Sequence, residues 1–236
     1  ISNDIGKLGV TADLKNATIA VKDILYFYPP LAENEYVKPS IDRVLNVDGV
    51  ISGTLDNLTF QNLKVRTQST EVWASGSIKG LPDVDKLSFE MKLGKFSSTK
   101  EELLALLPDS LLPSSIEIPE SFTLTGNYQG TLDNFKANGK IESSMGNAVI
   151  AATMKPVPGK NIKSYNTDIS LEDFNLGKFL KQEENFGLVN ASAKINGEGF
   201  TLDDMHTSID ATVKNAEVNG YNYQDAVVKG KIAGKM

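Results

Sequence analysis

Residues 87–93 read Leu87-Ser88-Phe89-Glu90-Met91-Lys92-Leu93, apolar and polar in strict alternation. Successive side chains of a strand point to opposite faces, so this segment has one greasy face and one wet face. The same period of two runs outward from it. Val72, Ala74, Gly76 and Ile78 alternate with Trp73, Ser75, Ser77 and Lys79. Phe122, Leu124, Gly126 and Tyr128 alternate with Thr123, Thr125, Asn127 and Gln129. Val189, Ala191, Ala193 and Ile195 alternate with polar neighbours, as do Met205, Thr207, Ile209, Ala211 and Val213. Strands with one wet face belong to antiparallel sheet, because parallel sheet is covered on both faces.

Turn formers separate the runs: Asp56-Asn57, Gly80-Leu81-Pro82-Asp83, Asp133-Asn134, Gly146-Asn147, Asn196-Gly197 and Asn219-Gly220. Some gaps are only a few residues long, as in a meander of hairpins. Helix signals are sparse. Ser98-Thr99-Lys100-Glu101 reads as a capping box ahead of a leucine-rich turn that stops at Pro108. Shorter helical turns are expected over 176–180 and 22–28. Pro108, Pro113 and Pro119 mark one loop, and Pro156 and Pro158 another.

The chain repeats itself. Gly53-Thr54-Leu55-Asp56-Asn57 recurs letter for letter as Gly130-Thr131-Leu132-Asp133-Asn134, and a weaker copy spans Gly199-Phe200-Thr201-Leu202-Asp203-Asp204. Each copy lies between two alternating segments. The expected organisation is one elongated unit over 1–236. Its approximate repeats are 47–93, 122–171 and 189–232, with a helix and loop insertion at 97–119. Repeats of this kind imply a stacked sheet that lengthens by adding units.

The 236 residues hold 24 Lys plus Arg against 30 Asp plus Glu, a net charge of −6. Nucleic-acid binding needs clustered cations and is not expected. The chain has no Cys and one His, which removes disulfides, thiolate metal sites, cysteine nucleophiles and histidine relays. No catalytic group, metal or cofactor is expected, and a binding, scaffold or transport role is what remains. No run approaches the 18 or so apolar residues of a membrane span. The first residue is Ile1, so the expectation is a processed protein or an internal piece.

About nine strands with about four inward apolar groups each put on the order of 35 greasy side chains on one face. At roughly 1.5–3 kcal/mol each, that face needs a cover. A second sheet, closure into a barrel, or an open gutter that meets lipid chains would each supply one. Small residues on the face (Gly76, Gly126, Gly139, Ala191, Ala193, Ala211) favour a hollow interior.

Other residues read plainly. His206 and Trp73 fall on the polar sides of their strands. The acidic pairs Glu101-Glu102, Glu183-Glu184 and Asp203-Asp204 read as helix-start or turn residues. Asp83-Val84-Asp85 reads as a turn, since the calcium-loop pattern is absent. The helix at Leu103–Leu107 is expected to plug an end of the sheet, and the Tyr26-Phe27-Tyr28 cluster to cap the apolar face or meet a partner.

The segment Val50-Ile51-Ser52-Gly53-Thr54-Leu55-Asp56-Asn57-Leu58, then Asn62-Leu63-Lys64-Val65, then Gly76-Ser77-Ile78-Lys79-Gly80-Leu81-Pro82-Asp83 carries a pattern G-x-L-x-N/D-L followed by G-x-I-x-G-L-P. A leucine helix ending in proline follows at Leu103–Pro108. Similar segments are Ile169–Gly177, Phe186-Gly187 to Gly199-Phe200, and Asn219–Gln224. In this order, over about residues 20–232, the chain resembles the TamB family of the AsmA-like superfamily, in its Bacteroidetes-type form.

The resemblance implies an all-β fold: an elongated, curled, antiparallel-rich sheet (a β-taco or open gutter built of repeats) with one or two short helices. It implies a periplasmic, groove-bearing protein that bridges inner and outer membranes, moves phospholipid and serves outer-membrane biogenesis and protein assembly. The parent chain would be anchored in the inner membrane by a segment absent here. Regions outside this stretch would meet an outer-membrane barrel of the TamA or BamA type. The groove lining for lipid acyl chains would be Ile51, Leu55, Val72, Ile78, Leu87, Phe89, Met91, Leu93, Phe122, Leu124, Ile141, Ile150, Ile169, Leu171, Val189, Ile195, Ile209, Val213 and Val228. The alternative is a structural or adhesive β-sandwich with a filled core and loop-based protein or glycan binding. Exposed strand edges lead to an expectation of self-association under either reading.

Overall fold

The structure, a computed structural model, describes residues 5–27, 29–35, 37–83, 86–108, 114–201 and 204–234. Expectations resting on Tyr28, Val84, Asp85, Pro113, Leu202 and Asp203, and on the side chain of Phe27, lie outside the described residues.

The alternating segments form twelve strands: β1 Gly9–Ala20, β2 Val44–Thr54, β3 Asn57–Thr67, β4 Thr70–Lys79, β5 Ser88–Thr99, β6 Ser121–Thr131, β7 Phe135–Ser143, β8 Gly146–Pro156, β9 Lys163–Asn175, β10 Phe186–Glu198, β11 His206–Val218 and β12 Tyr221–Ala233. They make one open antiparallel sheet in which each strand lies beside its sequence neighbours. A sandwich needs two sheets face to face, and the described residues form one. By contacts the chain divides into two compact units, Ile1–Thr125 and Gly126–Met236.

Three short helices stand where the sequence placed helical turns, one or two more than the resemblance implied: α1 Val21–Phe27, α2 Lys100–Leu106 and α3 Leu176–Leu180. Each directly follows an odd-numbered strand. Within each unit the α-helices therefore sit at one end of the strands, the end that also carries the β3–β4 turn in the first unit and the β7–β8 and β11–β12 turns in the second. The cap of α2 differs from the Ser98–Glu101 expectation. Thr99 is the N-cap, and its hydroxyl accepts from the N–H of Glu102. The Glu102 side chain turns away from the helix start. It accepts from the backbone N–H of Ser69, from Ser69 Oγ at 2.5 Å and from Arg43 at 3.5 Å, and is only 3 % exposed. An acid that reads as a helix-start residue is thus the buried tie between α2 and the β3–β4 turn.

The duplicated pentapeptide forms the same corner twice. Gly53 closes β2 at φ +121°, and Gly130 closes β6 at φ +126°. A Cβ on either would run into the backbone carbonyl of Asn57 or Asn134, the last residue of its own copy. Only glycine allows the returning chain so close.

The strands are not regular along their length. Register shifts fall between Leu14 and Ala17 on β1, and between Phe60 and Leu63 on β3. On β9 an extra residue lies between Leu171 and Phe174, opposite Ala191 and Val189. At each shift one residue takes a left-handed conformation: Asn16 (φ 50°), Asn62 (φ 48°) and Asp173 (φ 47°). Each of these N–H groups donates to a side chain on the next strand, at Asp48 (2.8 Å), Ser75 (2.9 Å) and Asn190 (2.9 Å) respectively. A bulge bends its strand and increases the local twist.

Candidate functional site

Directly opposed residues of an antiparallel pair share a face, so the register assigns every side chain. In the first unit, one row crosses Ala12, Ile51, Phe60, Gly76 and Met91. A second crosses Val10, Gly53, Leu58, Ile78 and Phe89, and a third crosses Ala17, Val47, Val65, Val72 and Phe96. Leu63, Ala74 and Leu93 lie between them on the same face. Phe122 of β6 joins this face by meeting Phe96 edge-on, with ring centroids 5.3 Å apart. Leu124 alternates in phase with Phe122 and is half-buried.

In the second unit the rows are longer. Gly139, Ile150, Ile169, Ala193, Ala211 and Val228 form one. Ile141, Ala148, Leu171, Ala191, Val213 and Ala226 form the next, and Ala137, Ala152, Thr167, Ile195, Ile209 and Gly230 the third. Half of the positions in these central rows are glycine or alanine. Larger groups flank them at the strand ends. Tyr128 stacks on Phe135 (5.2 Å) and Tyr165 on Phe200 (5.0 Å) at one end, while Phe174 meets Phe179 of α3 (5.5 Å) at the other. The second unit thus has an apolar face with a low middle and aromatic margins.

Within each unit, no second layer of described residues covers its apolar face. The buried apolar residues are few: Val21, Leu25, Val47, Phe60 and Ala74 in the first unit, and Met145, Ala148, Phe174, Val189 and Ala216 in the second. No large side chain among the described residues is fully enclosed. The two faces still differ. On β8, Val149 on the polar face is 53 % exposed, whereas the adjacent Ile150 on the apolar face is half-buried.

The residues expected to line a groove fall as follows. Ile51, Val72, Ile78, Phe89, Met91 and Leu93 share the face of the first unit, with Phe122 and Leu124. Ile141, Ile150, Ile169, Leu171, Val189, Ile195, Ile209, Val213 and Val228 share that of the second. Leu55 is a correction: it lies in the two-residue turn between β2 and β3, because Thr54 already pairs with Asn57. Leu87 lies one residue before β5, which begins at Ser88. Val228 is half-exposed (50 %) because β12 has a strand on one side only.

No protein-family model, no curated protein and no solved structure matches the chain.

Further members of the apolar face are Val10, Ala12, Leu14, Val47, Leu58, Phe60, Leu63 and Val65, and of these Leu63 and Val65 escape a reading by alternation alone. The bulges at Asn16 and Asn62 shift the phase of their strands, so Leu14 is followed on this face by Ala17, and Phe60 by Leu63. An asparagine at a break in phase is the signal that would have found them.

The polar face carries the charges. On it the only tryptophan, Trp73, has Lys64 and Lys95 over its ring at 4.7 and 5.3 Å, and its Nε1 donates to Glu71 at 2.8 Å. Lys95 donates to Glu71 at 2.5 Å. The Lys95 hydrogen bond, followed by that from Trp73, holds the Glu71 carboxyl below its usual range. In the second unit a shallow depression of about 610 Å³ lies on the polar face, lined by Val149, Ser170, Ser192 and Thr212 with Asp168, Lys194 and Asp210. Ala151, Ile169 and Ala193 complete its lining, and its charges are paired, with Lys194 3.9 Å from Asp168. His206 is exposed, with Nδ1 3.2 Å from the carbonyl of Asp204. Among the described residues no group of acidic or histidine side chains could hold a metal ion, and no helix is long and apolar enough to cross a membrane.

Proposed function

We propose that the chain is a lipid-handling groove: its apolar face takes up acyl chains and shields them from water as they pass from strand to strand. The observation that carries this reading is the run of apolar rows across successive strands of the second unit, with no covering layer of that unit's own described residues. Withdrawing a 16-carbon chain from a bilayer costs about 12 kcal/mol, at about 0.8 kcal/mol per methylene. A lining of side chains such as Ile150, Ile169 and Ile195 offsets that cost by contact alone, with no chemical step. The small residues of the middle rows leave height for a chain between the aromatic margins. In the setting suggested by the sequence, the groove belongs to a TamB-like periplasmic bridge between two membranes and serves phospholipid movement and outer-membrane assembly.

The test is binding of a fluorescent fatty acid, together with mass spectrometry of lipid extracted from the purified protein. Co-purified acyl lipid is expected. Ile150→Asp and Ile169→Asp should each abolish it, whereas Val149→Asp, on the opposite face of the same strand as Ile150, should leave it unchanged. Retention of acyl binding by both charged variants, in protein with an unaltered far-UV circular dichroism spectrum, overturns the proposal.

A further inference from the structure

We propose that the polar face of β3, β4 and β5 docks on a membrane surface of anionic lipid headgroups, with Trp73 entering the interface. The register places Lys64, Arg66, Lys79, Lys92 and Lys95 on this face, against Glu71 and Glu90. Five cations against two carboxylates leave it positive by three, in a chain whose net charge is −6. The acids at hand are already engaged. Asp48 of β2 accepts from Arg66 at 2.9 Å and from the N–H of Asn16 at 2.8 Å, and Glu71 accepts from Lys95 and from the indole of Trp73. Lys64, Lys79 and Lys92 are exposed and have no ion-pair partner among the described residues. By contrast, Asp168, Lys194, Asp210 and Lys229 form a row of alternating sign on the polar face of the second unit.

The layout fits an extended surface better than a small anion. Arg66 stands opposite Glu71, eight residues along β4 from Lys79. Eight residues of strand span about 27 Å. No single phosphate touches all of these cations, whereas a plane of headgroups does. Trp73 stands in the middle of the three strands, 38 % exposed, with Lys64 opposite it on one side and Lys95 on the other. Both ammonium groups lie over its ring. Tryptophan collects at headgroup level, where one side of the indole is apolar and the other wet. Lysine stems lie along apolar surface and carry their charged ends outward to phosphate. A row of Lys64, Trp73 and Lys95 thus offers both kinds of contact to one plane, and each further cation near an anionic surface adds to the attraction. These side chains point away from the apolar rows, so the contact leaves the proposed groove uncovered.

The experiment uses the full 236-residue chain with vesicles of phosphatidylcholine, alone or mixed equally with phosphatidylglycerol. Co-sedimentation is expected with the anionic vesicles only, and it should weaken as salt is raised. The chain has one tryptophan, so a blue shift of its emission on binding locates the contact at Trp73. Lys64→Gln, Lys79→Gln and Lys92→Gln should each weaken binding about five-fold. Lys140→Gln, at an exposed lysine paired with Glu142 in the second unit, should not. Vesicle binding by Ile150→Asp should equal that of the parent chain, which keeps this contact separate from the groove. Inorganic phosphate and polyphosphate, at the same phosphate concentration, should leave the emission unshifted. Sedimentation with neither vesicle, equal sedimentation with both, binding without a shift at Trp73, equal losses in Lys64→Gln and in Lys140→Gln or Ile150→Asp, or a blue shift with either soluble anion overturns the proposal.

Discussion

The backbone N–H of Asn62, in a left-handed conformation at φ 48°, donates to Oγ of Ser75 on the neighbouring strand at 2.9 Å. The pair lets β3 carry an extra residue without leaving its donor unmet. Asn16 with Asp48 and Asp173 with Asn190 repeat the device. Asparagine and aspartate tolerate this conformation better than other side-chain-bearing residues. Asn62→Ala is therefore expected to cost about 1–2 kcal/mol, and Asn62→Gly clearly less. Urea denaturation of the two variants checks the order, and equal losses would count against the conformational account.

Glu102 predicts a larger effect. It is buried and joins Arg43 to the β3–β4 turn. Glu102→Ala strands the Arg43 guanidinium and unmakes two bonds from Ser69, so a loss of about 3–5 kcal/mol is expected. A double-mutant cycle between Glu102 and Ser69 should show coupling, while replacing the exposed neighbour Glu101 by Ala should change stability by less than about 0.5 kcal/mol.

The single tryptophan reports on one carboxylate. Lys95 and Trp73 hold the Glu71 pKa below its ordinary value of 4.5. A group whose folded pKa is depressed contributes stability that is present above its unfolded pKa and is lost as pH falls through the folded one. Trp73 fluorescence should therefore change with an acid midpoint below the usual glutamate range, and Glu71→Gln should remove the transition. A midpoint at or above the ordinary value would contradict the hydrogen-bond geometry.

The apolar face and the enclosed core should respond differently to truncation. Met145 is 2 % exposed, and Met145→Ala is expected to cost about 2–5 kcal/mol, as in a packed interior. Ile169 is only half-buried in its row. Ile169→Ala should cost about 1 kcal/mol, since much of its surface is already wet. Equal costs would mean that the face is packed as tightly as the core.

Much of the fold is legible in the sequence because alternation is a local property. The strand around Phe89, the corner at Gly53 with its twin at Gly130, and the helical turn over 176–180 can all be read from short stretches. The phase of a strand after a bulge cannot be read that way. Leu63 and Val65 belong to the apolar face only because Asn62 adds a residue, and that becomes visible when β3 is laid against β4. Glu102 was equally opaque. Its partners Arg43 and Ser69 lie 59 and 33 residues away in the chain, and a charged residue at a helix start gives no sign that it will be enclosed.

The sheet order repeats the order of synthesis, so each strand's first partner is the one made immediately before it. A chain leaving a ribosome or an export channel N-terminus first can zip up hairpin by hairpin, never holding a strand in reserve for a mate that has yet to emerge. The adhesive edge travels with the growing end, and at any moment only the newest strand is left bare on that side.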